Sequence, residues 1–377
     1  MKERILLAHS GGLDTSVAIA WLAEEYDAEI ITITLDLGQG GELDEVRGRA
    51  LATGALRAHV LDVREEFARD YILPALQAGA TYEGRYPLGT ALGHPVIARM
   101  LVEIAAIENA GAIAHGCADQ GNDQVRLELS VRALNPVVRI LAPARVWGMT
   151  GPEKIEYART RRVALPTTLQ SPYSIDSNLW GRSIACGALE DPWQEPPQEI
   201  YRLTRQPAAA PTAPAYVEIA FERGVPVAVN GVALGLVELI ESLTTIAGGH
   251  GVGRIDMVEN LVTAVKSREI YEAPAAVVLH AAHQELTSFV SSRDLDRLTR
   301  ELSVRYADLV YNGLWFTPMR EALDAFTAKV QQRVTGVVRV KLFKGAHTVV
   351  GRQSPSTPDK IERAHEPNLQ SAFSIPL

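Results

Sequence analysis

The chain has 377 residues, more than one ordinary hydrophobic core absorbs, so two domains are expected. Acidic residues number 45 against 37 basic ones, a formal charge of −8, which argues against nucleic acid as the main partner because a phosphate backbone needs a basic footprint. Cys117 and Cys186 are too few for a disulfide framework or a four-cysteine zinc site, and a reducing cytoplasm is the expected compartment.

Few apolar residues precede His9, so no secretory signal is read, and no apolar run reaches membrane-spanning length; no membrane partner is expected. Residues 5–8 form a short apolar run, followed by a glycine turn and a helical pattern over 15–25. Residues 29–37 are rich in Ile and Thr, as a buried strand should be. Further strands are predicted at 58–63, 112–115 and 137–142, with helices at 65–77, 95–109 and 124–134 between them. This alternation means βαβ units and a mostly parallel sheet, with ligands held beyond the carboxyl ends of the strands. Glycine-rich segments at 10–12, 38–41 and 116–121 each follow a predicted strand, so three loops are expected to share one site.

The pattern changes after about residue 165. Hairpins are predicted over 217–229 and 337–350, with helices near 234–247, 293–311 and 319–333. The expected organisation is a nucleotide-binding domain over 1–165, an α+β domain over 166–354 and a polar tail over 355–377. Trp180 and Trp193 are expected to pack the domain junction, and His280 and His283, three apart on a helix, are read as structural. No spacing of His, Cys and carboxylates suggests a protein-bound metal.

The first loop, Ala8-His9-Ser10-Gly11-Gly12-Leu13-Asp14-Thr15-Ser16, joins a strand to a helix. Its glycines let backbone amides close on an anion, its hydroxyls add donors, and the helix N-terminus adds partial positive charge. Asp14 can brace the loop or help place Mg²⁺. The loop has neither the Gly-Lys-Ser/Thr of a Walker A motif nor a Gly-x-Gly-x-x-Gly. It resembles the pyrophosphatase-type loop of adenylating enzymes, which split ATP between its α- and β-phosphates.

Further segments carry a more particular resemblance: Asp36-Leu37-Gly38-Gln39-Gly40, Tyr82-Glu83-Gly84-Arg85-Tyr86, Gly121-Asn122-Asp123-Gln124-Val125-Arg126, Pro172-Tyr173-Ser174-Ile175-Asp176 and Lys266-Ser267-Arg268-Glu269-Ile270-Tyr271-Glu272. Together they make the chain similar to argininosuccinate synthases as far as about residue 355. The resemblance implies a PP-loop ATPase domain followed by a synthetase domain, ATP and Mg²⁺ as cofactors, citrulline and aspartate as substrates, and a homotetramer. It further implies that Ala8 to Ser16, Leu35 and Gly116 hold ATP. Tyr86, Ala91, Asn122, Arg126, Ser174, Ser183, Glu259 and Tyr271 would hold citrulline; Ala118, Asn122 and Asp123 would hold aspartate. Arg126 suits a carboxylate and Glu259 an amino group, although Glu259 also lies in a stretch readable as a helix from Asp256. Ala118-Asp119-Gln120 stands where the family usually has Thr-Gly-Lys, and Ala91 and Leu261 replace a usual Ser and Arg. These departures motivate a second reading, the same adenylation with another amine donor or substrate, and a third, a non-catalytic binding protein of the same fold.

Overall fold

A computed structural model describes residues 2–117, 121–165 and 171–356; Ala118 to Gln120, the expected domain boundary beyond residue 165 and nearly all of the tail lie outside the described residues. The first half is built on five parallel strands, β1 (Arg4–Ala8), β2 (Glu29–Asp36), β3 (Arg57–Asp62), β4 (Ala112–Ala114) and β5 (Arg139–Leu141), ordered β3-β2-β1-β4-β5. Both faces are covered, which is why β1 and β2 read as continuous apolar runs. Alternate residues of β1 serve different layers. Ile5 and Leu7 pack with Ala18, Ile19 and Leu22 of α1 (Leu13–Glu25) and Ala50 of α2 (Leu43–Ala52).

On the other face, Leu6 joins the main core. That core includes α3 (Arg64–Phe67), a π-helical turn at Ala68–Ile72, α4 (Leu73–Gln77) and α5 (Gly89–Glu108). The chain then runs through α6 (Asn122–Leu134), α7 (Pro143–Val146) and α8 (Gly151–Arg161). Contrary to the expectation that nothing reaches membrane-spanning length, α5 is long and apolar enough by composition to cross a bilayer. Its apolarity has another cause: it is sandwiched between β1 and β4 on one side and the second half of the chain on the other.

The second half adds two antiparallel sheets. One comprises β6 (Ser174–Asn178), β7 (Gly181–Ala185), β11 (Arg254–Asn260) and β12 (Lys266–Glu272), ordered β11-β12-β7-β6. The other comprises β8 (Ala215–Glu222), β9 (Val225–Val229), β10 (Val232–Ala233), β13 (Gly336–Phe343) and β14 (Ala346–Gln353), ordered β10-β9-β8-β13-β14. Helices α9 (Leu236–Gly249) and α10 (Pro274–Val290) pack on the latter, with α11 (Arg293–Tyr311) and α12 (Pro318–Gln331) beside α5 and α4. The predicted helix over 293–311 and both hairpins are present. The four-stranded sheet was not anticipated: the segment from Asp256 that was readable as a helix is strand β11.

One contact locks the two halves together, and a second network anchors the second half within itself. Trp180 is buried and its indole N–H donates to the Pro87 carbonyl at 2.8 Å, as a junction residue should, whereas Trp193 is 95% exposed and packs no junction. Glu272, fully buried at the end of β12, accepts from the amides of Arg202, Leu203 and Thr204 and from the Thr204 hydroxyl, and pairs with Arg182 at 2.8 Å. A buried charge so completely hydrogen-bonded is tolerable only with all its partners in place. On α10, His283 Nε2 meets Gln331 Oε1 at 2.8 Å in the interior, in keeping with a structural role.

Candidate active site

Strand order reverses at β1, whose neighbours β2 and β4 lead away in opposite directions, so the loops after β1 and β4 part at their carboxyl ends and open a crevice. A cleft of about 520 Å³ occupies it, lined by Ala8, His9, Ser10 and Thr15 from the first loop, Leu35, Leu37 and Gln39 after β2, and Gly116 after β4. All three glycine-rich loops therefore meet, as the sequence implied.

Gly11 has φ +80, and a Cβ there would come within 2.9 Å of Val46. A Cβ on Gly116 would lie 2.7 Å from Thr15 Cγ2, so this crossing needs bare backbone. No side chain caps the N-terminus of α1, leaving its partial charge for a ligand. The Ser10 and Thr15 hydroxyls lie 3.1 Å apart, and the buried Ser16 Oγ has no partner. An orphaned hydroxyl beside an uncapped helix fits an anionic ligand such as a nucleotide phosphate. Asp14 neither braces the backbone nor stands free: it accepts from Lys154 Nζ at 2.6 Å. Burial lowers the His9 pKa to about 4, so its ring is neutral near physiological pH.

The remaining wall is one face of the four-stranded sheet. Tyr271 of β12 pairs with Ser183 of β7, which pairs with Asp176 of β6, so these three side chains form a row. Ser174 and Glu269, two residues along their strands, share that face. Ser174 and Asp176 border the large cleft together with Asp123 of α6. Tyr86, Thr90, Ser183 and Tyr271 enclose a second space of only about 10 Å³. There the Tyr86 and Tyr271 rings stack at 4.0 Å, the Thr90 amide donates to the Tyr86 hydroxyl at 2.9 Å, and the Thr90 and Ser183 hydroxyls are 3.1 Å apart.

Asn122, Arg126 and Glu259 converge on a residue the sequence reading missed, Tyr311, and Tyr271 joins them through Glu259. Its hydroxyl donates to Glu259 Oε1 at 2.7 Å and accepts from Asn122 Nδ2 at 2.8 Å, while Tyr271 donates to Glu259 Oε2 at 2.6 Å. Arg126 is buried, donates from Nε to the Tyr311 carbonyl at 2.7 Å, and reaches Asp123 at 3.3 Å. Its Nη2 alone is buried without a partner. Ala91 is packed inside α5, 1% exposed, and lines neither space; Ala118 falls outside the described residues. His94 is a second residue not singled out from sequence. It lines the cleft, with Nε2 at 3.6 Å from Asp123.

Acidity dominates the electrostatics. Asp176 opens into the cleft but is crowded by protein, and that desolvation, with Asp123 adding to it, pushes its pKa up to about 7. Burial likewise lifts Glu269 to about 7, against a hydrogen bond from Ser267 and with Glu259 and Asp123 adding to the rise. Glu259 is raised by burial, against the pull of the Tyr271 and Tyr311 hydroxyls and Arg126. Neighbouring carboxylates of this kind favour ligands that bring ammonium or other donor groups.

A nucleotide-sized cleft at the reversal point of a parallel sheet, walled by polar groups from a second sheet, places the chain among the HUP-domain nucleotide enzymes. Residues 4–164 match the profile of the "Arginosuccinate synthase N-terminal HUP domain", and residues 173–363 that of the "Arginosuccinate synthase C-terminal domain". The chain belongs to the argininosuccinate synthase family. It is 54% identical over 357 residues to the argininosuccinate synthase of Symbiobacterium thermophilum, covering 94% of this chain and 89% of that one. It is 53% identical to that of Dictyoglomus thermophilum, over 94% of this chain and 88% of the relative. The solved structure of a predicted subunit of tRNA methyltransferase from Methanocaldococcus jannaschii shares 14% identity over 44% of this chain and 69% of its own, with a TM-score of 0.23, too slight a likeness to bear on fold or function.

Proposed function

We propose that this enzyme ligates citrulline and aspartate to argininosuccinate at the expense of ATP, in two steps. The observation that carries the reading is that the phosphate loop, Gly116, Asp123 and Ser174 border a single space. In the first step the citrulline ureido oxygen attacks the α-phosphate, giving citrullyl-AMP and releasing pyrophosphate into the Ser10 to Ser16 loop. In the second, the aspartate amine attacks the ureido carbon and AMP leaves. Orientation and charge stabilisation suffice for both, and no covalent enzyme intermediate is required.

ATP is held by Ala8 to Ser16, Leu35 and Gly116, citrulline by Tyr86, Asn122, Arg126, Ser174, Ser183, Glu259 and Tyr271, and the aspartate ammonium by Asp123. Since Tyr86 and Tyr271 are stacked, citrulline would enter their space as the rings part. Mg²⁺ would arrive on the nucleotide phosphates, as the family resemblance implies. The division near residue 165 follows from the change of sequence pattern there, a cytoplasmic location from the two cysteines, and a homotetrameric assembly from the family resemblance. Identity above 50% across nine-tenths of the chain favours aspartate over another amine, and an enzyme over a non-catalytic binder.

The test is pyrophosphate release from Mg-ATP with citrulline alone, followed by argininosuccinate formation on adding aspartate. Release that does not proceed to argininosuccinate with aspartate would restore the altered-donor reading. No release with any combination of substrates would restore the binding protein.

A further inference from the structure

The second step demands an uncharged amine, because an ammonium has no electron pair to give the ureido carbon. Asp123 can hold the ammonium, but something must take its proton. The groups around His94 answer this. Its Nδ1 lies 2.9 Å from the Thr90 carbonyl, an oxygen that can only accept, so Nδ1 carries the hydrogen. In the neutral ring Nε2 must then bear a lone pair. That nitrogen belongs to a cleft-lining side chain only 8% exposed, and it faces Asp123 Oδ1 at 3.6 Å. A lone pair facing a carboxylate gains nothing until a proton arrives between them, and the amine donor's ammonium supplies one.

We propose that His94 is the general base of the second step, taking the donor's ammonium proton at Nε2 while Asp123 holds the amino group. The inference rests on the citrulline–aspartate reading. One N–H bond of the ammonium breaks and its proton binds Nε2. The freed electron pair forms the new C–N bond to the ureido carbon. The C–O bond to AMP breaks, and its electrons leave on the phosphate oxygen. His94, now an imidazolium donating to both Thr90 and Asp123, returns the proton to water once the products depart.

The charged surroundings suit a base that starts unprotonated. Burial lowers the His94 pKa, with Arg126 on α6 and His115 beyond β4 adding to the fall, against Asp123 and the Thr90 carbonyl, which raise it. Asp176 on β6 shares the cleft and is the rival base.

The experiment preloads the enzyme with Mg-ATP and citrulline, adds aspartate, and follows argininosuccinate in a single turnover from mildly acidic to mildly alkaline pH. The wild-type rate should rise to a plateau as His94 loses its proton. His94→Asn, which keeps a donor for the Thr90 carbonyl, should be about 100-fold slower near neutrality. Its rate should climb with pH without that plateau, as free amine accumulates. A His94→Asn enzyme that keeps the wild-type plateau overturns the proposal, as does loss of the plateau in Asp176→Asn instead. Should His94→Asn fail to fold by circular dichroism, His94→Gln takes its place. A wild-type profile lacking the plateau overturns the proposal without any variant. Absence of argininosuccinate from the wild type at every pH sinks the ligase reading itself, a result distinct from a defect confined to His94 variants.

Discussion

The Tyr311 hydroxyl donates to Glu259 Oε1 at 2.7 Å, tying the last residue of α11 to strand β11. Because the same oxygen accepts from Asn122 Nδ2, Tyr311→Phe strips Glu259 of one donor and leaves a buried amide unsatisfied. Such losses cost about 1–3 kcal/mol each. The expected result is a fall in kcat/KM for citrulline of about 10- to 100-fold, with KM for ATP little changed. Steady-state kinetics check it, and an unaltered citrulline kcat/KM would remove Tyr311 from the site.

Gly116→Ala tests the close crossing of two loops. The added methyl would meet Thr15 Cγ2 at 2.7 Å, forcing the phosphate loop to shift. Overpacking of this kind costs about 1–3 kcal/mol, so KM for ATP should rise about tenfold. Nucleotide titration by calorimetry is the direct measure, and unchanged affinity would mean that Thr15 yields without disturbing the cradle.

Glu269 carries a stability signature with a definite sign. Its pKa is raised from 4.5 to about 7 in the folded protein. The folded state therefore binds more protons than the unfolded state between those values, and stability falls as pH rises through that window. Glu269→Gln cannot ionise and escapes the loss. The variant should match the wild type near pH 4.5 and exceed it above pH 7, by ~1–3 kcal/mol. Urea unfolding of the substrate-free protein at several pH values reads the difference; parallel curves would show that Glu269 is solvated.

Glu272 should behave oppositely. Replacing its carboxylate by an amide weakens every bond from Arg202, Leu203, Thr204 and Arg182 at once. A loss of about 2–4 kcal/mol is expected for Glu272→Gln. A change below about 0.5 kcal/mol, the scale of an ordinary surface substitution, would contradict the picture of a buried anchor.

The parallel sheet was legible because β1 and β2 announce themselves as apolar runs punctuated by glycine, and α11 because its apolar residues recur at helical spacing. The sheet that walls the pocket was not. Its strands, such as Ser174–Asn178 and Lys266–Glu272, are short and polar on the face that meets the cleft, so neither hydrophobic alternation nor a turn signal marks them. Asp256, readable as the start of a helix, sits in β11, where Arg268 on the neighbouring strand holds it at 2.6 Å. Individual site residues were read from family motifs, yet Tyr311 and His94 were overlooked. Tyr311 matters through Glu259, 52 residues away, and Asn122, 189 away. His94 sits on a helix whose pattern announces only core. Local sequence holds no record of such meetings.

The joint at Tyr311 bears on how the enzyme comes into being. A ribosome completes the nucleotide-binding sheet long before it reaches the residue that secures Asn122 and Glu259. A partly synthesised or proteolysed chain could present a finished phosphate cradle while its acceptor pocket had no wall. Productive turnover thus requires the chain through Tyr311, where Asn122 and Glu259 are tied together.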